Sequence, residues 1–149
     1  MIVKKKILIE KECELTFTGA TLLSYEDAIN LPRKERIYNF SWWLRTPGYF
    51  SYIACIVFYS GDIHYGGDDV HNYYGIRPAL QIANMGDFKV GDVFSIGKYC
   101  FKIISPKLAW LYKQDIGENY FDGKSNNYET SHIKQIVDAW FEKLKDETI

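Results

Sequence analysis

The chain has no long apolar run. Its first residues are basic and carry only Ile7-Leu8-Ile9 before Glu10, too short for the apolar stretch of an export signal. No later segment approaches the roughly 20 residues of a membrane-spanning helix. A protein that is not exported on its own signal and has no membrane partner is expected. A cationic excess is missing too: 18 Lys and Arg stand against 19 Asp and Glu, which argues against general nucleic-acid binding. Lys4-Lys5-Lys6, followed by Glu10, Glu12 and Glu14, reads as the solvated edge of a strand. Cysteine is scarce and irregularly spaced. Of Cys13, Cys55 and Cys100, the last two lie in apolar, strand-like runs, which predicts buried free thiols in a reducing cytoplasm.

Recognisable catalytic apparatus is absent as well. There is no nucleophile elbow, phosphate loop or His-Glu metal helix, so no catalytic residue and no cofactor is assigned and a non-enzyme is expected. His64 and His71 with Asp68, Asp69 and Asn72 match neither a closed zinc pattern nor a calcium loop. They read as a solvated turn, and no metal is assigned.

What is present is the composition of a folded domain. Apolar residues make up 47% and charged residues 25% of 149, which predicts one domain spanning residues 1–149 around one core. Strand-type runs are expected over residues 2–14, 16–23, 52–59, 76–82 and 108–112, with a hairpin over 90–104 turning near Gly97-Lys98. Ser60-Gly61-Asp62 should turn the chain into Ile63-His64-Tyr65, residues 66–75 form a turn-rich loop, and Pro78 belongs at an edge or bulge. Ser24 is placed to cap the amide of Asp27, with Leu23 stapled onto Ala28, and Pro32 keeps that helix short. Residues 31–39 read as a polar connection. Ile133, Ile136, Val137, Trp140, Phe141 and Leu144 recur at spacings of three and four, one apolar stripe of a final helix capped by Thr130 or Ser131. The class is α+β, with two helices.

Three stretches carry a family resemblance: Leu22-Leu23-Ser24-Tyr25-Glu26-Asp27-Ala28, Ser41-Trp42-Trp43-Leu44-Arg45-Thr46-Pro47-Gly48, and Gly75-Ile76-Arg77-Pro78-Ala79-Leu80. Together they resemble a bacterial family of uncharacterised domains related to C-type-lectin-like folds and to the formylglycine-generating enzyme. Val90-Gly91-Asp92, residues 97–103 and Asn127-Tyr128-Glu129-Thr130-Ser131 resemble it too, but in the family that half usually comes first. The resemblance therefore implies a circularly permuted C-type-lectin-like domain: a mixed, mainly antiparallel sheet, a turn through residues 84–87 joining neighbouring strands, and close termini. Formylglycine-generating activity would need paired reactive cysteines, and Cys55 and Cys100 do not have that setting.

Each motif residue admits two readings. Trp42 and Trp43 offer an aromatic platform or core packing, and adjacent strand residues face opposite sides, so at least one is expected inside. Arg45 and Arg77 can bind an anion or anchor loops through carbonyls, the latter being favoured. The preferred binding surface is the loop with Asp68, Asp69, His71, Asn72, Tyr73 and Tyr74, extended by Tyr49, Tyr120 and Asn126. Tyr, Asn and Asp on a rigid frame combine contact area with adaptable hydrogen bonding. A protein partner is expected, with a glycan or small ligand as one alternative and an enzyme of unknown class as another. An adaptor, or a phage or mobile-element inhibitor of a host or defence protein, would act by such occupancy alone.

Overall fold

The computed structural model describes residues 3–7 and 13–147, the side chains from residue 15 onward. Within them the strands are β1 (Val3–Ile7), β2 (Cys13–Thr21), β3 (Trp42–Pro47), β4 (Ile53–Val57), β5 (Ile63–Asp69), β6 (Tyr74–Gly75), β7 (Ala79–Asn84), β8 (Val93–Ile96), β9 (Tyr99–Ser105), β10 (Leu108–Leu111) and β11 (Glu118–Asn119). The α-helices are α1 (Tyr25–Ile29), α2 (Arg33–Arg36) and α3 (His132–Leu144), with a 3₁₀ turn over Tyr128–Thr130 before the last. The fold is α+β. The strands form two sheets, in the orders β1-β2-β7-β10-β9-β8 and β11-β6-β3-β4-β5. All pairings are antiparallel except β3 with β6, which meet in parallel at Trp42 and Gly75.

The near-continuous apolar runs of the central strands have a direct cause: these strands are buried on both faces. Along β4, Ala54 and Ile56 enter the larger core while Cys55 and Val57 enter a second, smaller one. The same alternation divides Leu22 from Leu23, Trp43 from Trp42 and Leu44, and Ala109 and Leu111 from Trp110. Two cores therefore replace the single one expected. Helix α3 lays Ile133, Val137, Trp140, Phe141 and Leu144 on the larger core, and α1 places Ala28 in the smaller.

The local signals act as the sequence implies. Ser24 Oγ accepts from the Asp27 amide at 3.0 Å, and Asp27 returns the bond to the Ser24 amide at 2.9 Å. Ser131, not Thr130, caps α3, its hydroxyl accepting from Lys134 at 3.0 Å. Pro78 stands just before β7.

Several expectations need correction. Residues 33–36 form a short helix because Pro32 starts a new turn that Arg36 pins by donating to the carbonyls of Ala28, Leu31 and Gly61. Strand β5 continues through residues 66–69, which a turn-rich loop was expected to hold, because the β4 edge supplies backbone partners as far as Asp69. The turn through residues 84–87 does not join neighbouring strands: β10 and β9 lie between β7 and β8. Cys55 is buried, but Cys100 is only half-buried. The expectations for Lys4-Lys5-Lys6, the Cys13 thiol, part of the 2–14 run and the proximity of Met1 and Ile149 fall outside the described residues or side chains, although β1 does lie at a sheet edge.

Candidate functional site

The outer end of β5 builds the loop surface. Where the β4–β5 register shifts, Gly67 adopts φ +91°, and a Cβ there would overlap the Ile53 Cγ2 methyl and come within 2.8 Å of the Ala54 carbonyl oxygen. Glycine is required at this bulge. Beyond it Asp68 organises the loop: its carboxylate accepts from the Asp69 amide at 2.8 Å, from the Asn72 side chain at 3.1 Å and from the Tyr74 hydroxyl. Burial, reinforced by that bond to a carboxylate, pushes the Tyr74 phenol up to about 12.

The loop is then clamped to residues 117–127. Val70 is buried; its amide donates to the Tyr52 carbonyl at 2.9 Å and its carbonyl accepts from Phe121 at 2.8 Å. Asn126 bridges the other side, donating from its amide group to the carbonyls of Phe50 at 2.9 Å and Ile53 at 3.0 Å. His71 faces acceptors on both ring nitrogens, the Asp69 carboxylate at 2.8 Å and the Gly123 carbonyl at 3.0 Å. Only the imidazolium donates to both. Accordingly its pKa is raised, chiefly by the Asp69 bond, and that of Asp69 is lowered by the backbone and side chain of His71.

Trp42 and Trp43 are fully buried, one in each core, so neither is an exposed platform. Trp43 instead supports the loops from below. Its indole donates to the Asn119 carbonyl at 3.0 Å, and its ring takes the edges of Tyr74 and Phe121 at 5.0 and 5.3 Å. Tyr74 thus belongs to the frame. Tyr73 is 62% exposed and packs on Tyr120, which stacks on His132 at 4.3 Å. Tyr49, at 73%, is the most exposed aromatic, with Phe50, Tyr52 and Tyr65 also open to solvent. Tyr65 lay hidden as a site residue because a strand signal says nothing about which strand becomes an edge. Its ring joins Tyr49 to Tyr25 through edge contacts at 5.8 and 4.7 Å.

The paired arginines separate. Arg45 is half-exposed and sits 3.8 Å from the Asp27 carboxylate. Arg77 is buried and bonds one carbonyl, that of Gln114, at 3.1 Å. No group of three His, Cys, Asp or Glu among the described residues is arranged to hold a metal. Burial pushes the Cys55 thiol up to about 11, away from the thiolate form a nucleophile uses. No helix among the described residues is long and apolar enough to cross a membrane.

These features define an α+β domain that presents an aromatic loop surface on a rigid frame. The model of a family described as a domain of unknown function (DUF6273) matches residues 11–84, the stretch that contains β2 to β7 and both tryptophan and arginine motifs. No curated protein and no solved structure matches the chain.

Proposed function

We propose that this protein is a non-catalytic binding module with a C-type-lectin-like plan, recognising a protein partner through the surface around Tyr49, Phe50, Tyr73 and Tyr120. One observation carries the reading: large aromatic side chains stand in solvent on loops whose backbones are already fixed by Asp68, His71 and Asn126. Exposed aromatics on a pre-ordered frame gain contact area on binding without a large ordering cost. Asp68, Asp69, Asn72 and Tyr74 hold the frame, while Tyr49 and Tyr73 make the contact. The partner is engaged inside the cell, and the module acts by occupying it, as an adaptor or an inhibitor.

The test is capture from cell extract with in-cell cross-linking, comparing the protein with a Tyr49→Ser/Tyr73→Ser variant. Both positions are exposed, so the fold and unfolding midpoint should be retained while a specific protein, cross-linked to residues 49–52 or 71–74, is lost. Capture that persists in the variant, or cross-links on another face, would overturn this surface. Retention of a glycan array signal, with no protein captured, would favour the lectin alternative.

A further inference from the structure

The aromatic surface makes no use of Arg77, the most deeply buried charge among the described residues. It is 1% exposed, and its guanidinium lies over three rings, 4.1 Å from Tyr38, 4.3 Å from Trp110 and 4.8 Å from Trp42. The rings attract the cation but accept none of its N–H groups as a carboxylate would, so those groups need oxygen acceptors elsewhere. Nε reaches the Gln114 carbonyl, whereas Nη1 has no hydrogen-bond partner and is closed to water. No carboxylate of the described residues forms an ion pair with it. The Asp115 carboxylate acts on it through space only, and accepts a hydrogen bond from the Tyr38 hydroxyl. A buried cation left so incompletely compensated is costly unless another negative charge can reach its surroundings.

A cleft of about 600 Å³ opens beside it, lined by Lys34, Glu35, Arg77, Lys102, Tyr112 and Lys113 among others. Glu35 is paired with Lys102. Lys102 and Lys113 also share the Tyr112 ring, 5.3 and 5.1 Å from its centroid. Four cations thus face one carboxylate. Lys113 is moreover held at φ 58°, a left-handed conformation unusual for a non-glycine residue, at the rim of this cleft.

We propose that this cleft is a binding site for a small anion carrying a phosphate or carboxylate group. The lysine ammonium groups meet its oxygens directly, and its charge compensates Arg77 through the low-dielectric wall they share. The volume lies within the range of small-molecule sites. The site shares no residue with the aromatic surface, so either can fail without the other.

The full chain would be titrated with inorganic phosphate and, separately, with citrate, each against sodium chloride at matched ionic strength, by calorimetry and tryptophan fluorescence. Trp42 and Trp110, flanking Arg77, serve as reporters. Saturable binding of at least one probe is expected, phosphate or citrate according to which head group the cleft takes. Lys34→Gln/Lys113→Gln, both exposed positions, should weaken it about tenfold or more, the loss of charge-assisted hydrogen bonds, with the unfolding midpoint in chloride unchanged. Arg77→Met should also weaken binding; because Arg77 packs among three buried or half-buried rings, the lysine variant is the deciding one. No saturable heat with either probe, or equal affinity in the lysine variant, would overturn the site.

Discussion

His71 shows how far one side chain can tie two loops together. With an acceptor at each ring nitrogen, it holds residues 66–75 to residues 117–127 fully only when protonated. Its raised pKa means that its contribution is complete below the unfolded-state value and is lost as pH rises through the folded one. Asp69 has the opposite sign: its lowered pKa supplies a contribution present above its unfolded value and lost as pH falls through the folded one. The clamp is therefore at full strength between the two unfolded-state values, and weakens on either side as pH moves out toward the folded ones. An NMR titration should place the His71 midpoint above that of an ordinary histidine, and Asp69→Asn should bring it down. A midpoint at or below the ordinary value would remove the imidazolium from the clamp. Little of this could be read from the sequence, which places His71, Asp68 and Asp69 in one loop but contains no indication that Gly123, 52 positions away, supplies the second acceptor.

Elements were legible where a local signal is complete. The capping box of α1, the cap and stripe of α3 and the hairpin at Gly97-Lys98 need only residues a few positions apart. Helix α2 and the extension of β5 were not, because each is held by distant partners: Arg36 by the Gly61 carbonyl, and residues 66–69 by the β4 edge. The β5 bulge offers a direct test. At Gly67 any side chain meets both a left-handed backbone and the packed β4 strand, so Gly67→Ala should destabilise the protein by about 1–3 kcal/mol in chemical unfolding. Hydrogen exchange should show the loosening concentrated in β4, β5 and the loop that follows. An unchanged midpoint would mean that the bulge relaxes freely.

For the whole molecule, the deciding feature is a set of central strands sandwiched between two cores. Trp43 belongs to the larger core and also carries the loop frame through Asn119, Tyr74 and Phe121. Trp43→Ala should therefore cost about 3–5 kcal/mol, the range for truncating a buried large aromatic. The same change should raise exchange rates at residues 70–75 and 119–121. A loss of stability with those loops still protected would separate the core role of Trp43 from its support of the surface. The sequence by itself determined the α+β class, the cap of α1 and the burial of at least one of the two tryptophans, because propensity, capping and alternation act over a few residues. Tertiary structure alone decided that the pair serves two cores, that Tyr74 turns inward while Tyr49 and Tyr73 stay outside, and that Arg77 sits among rings beside a cationic cleft. Those outcomes depend on which strands become neighbours, and that is settled by contacts between residues far apart along the chain.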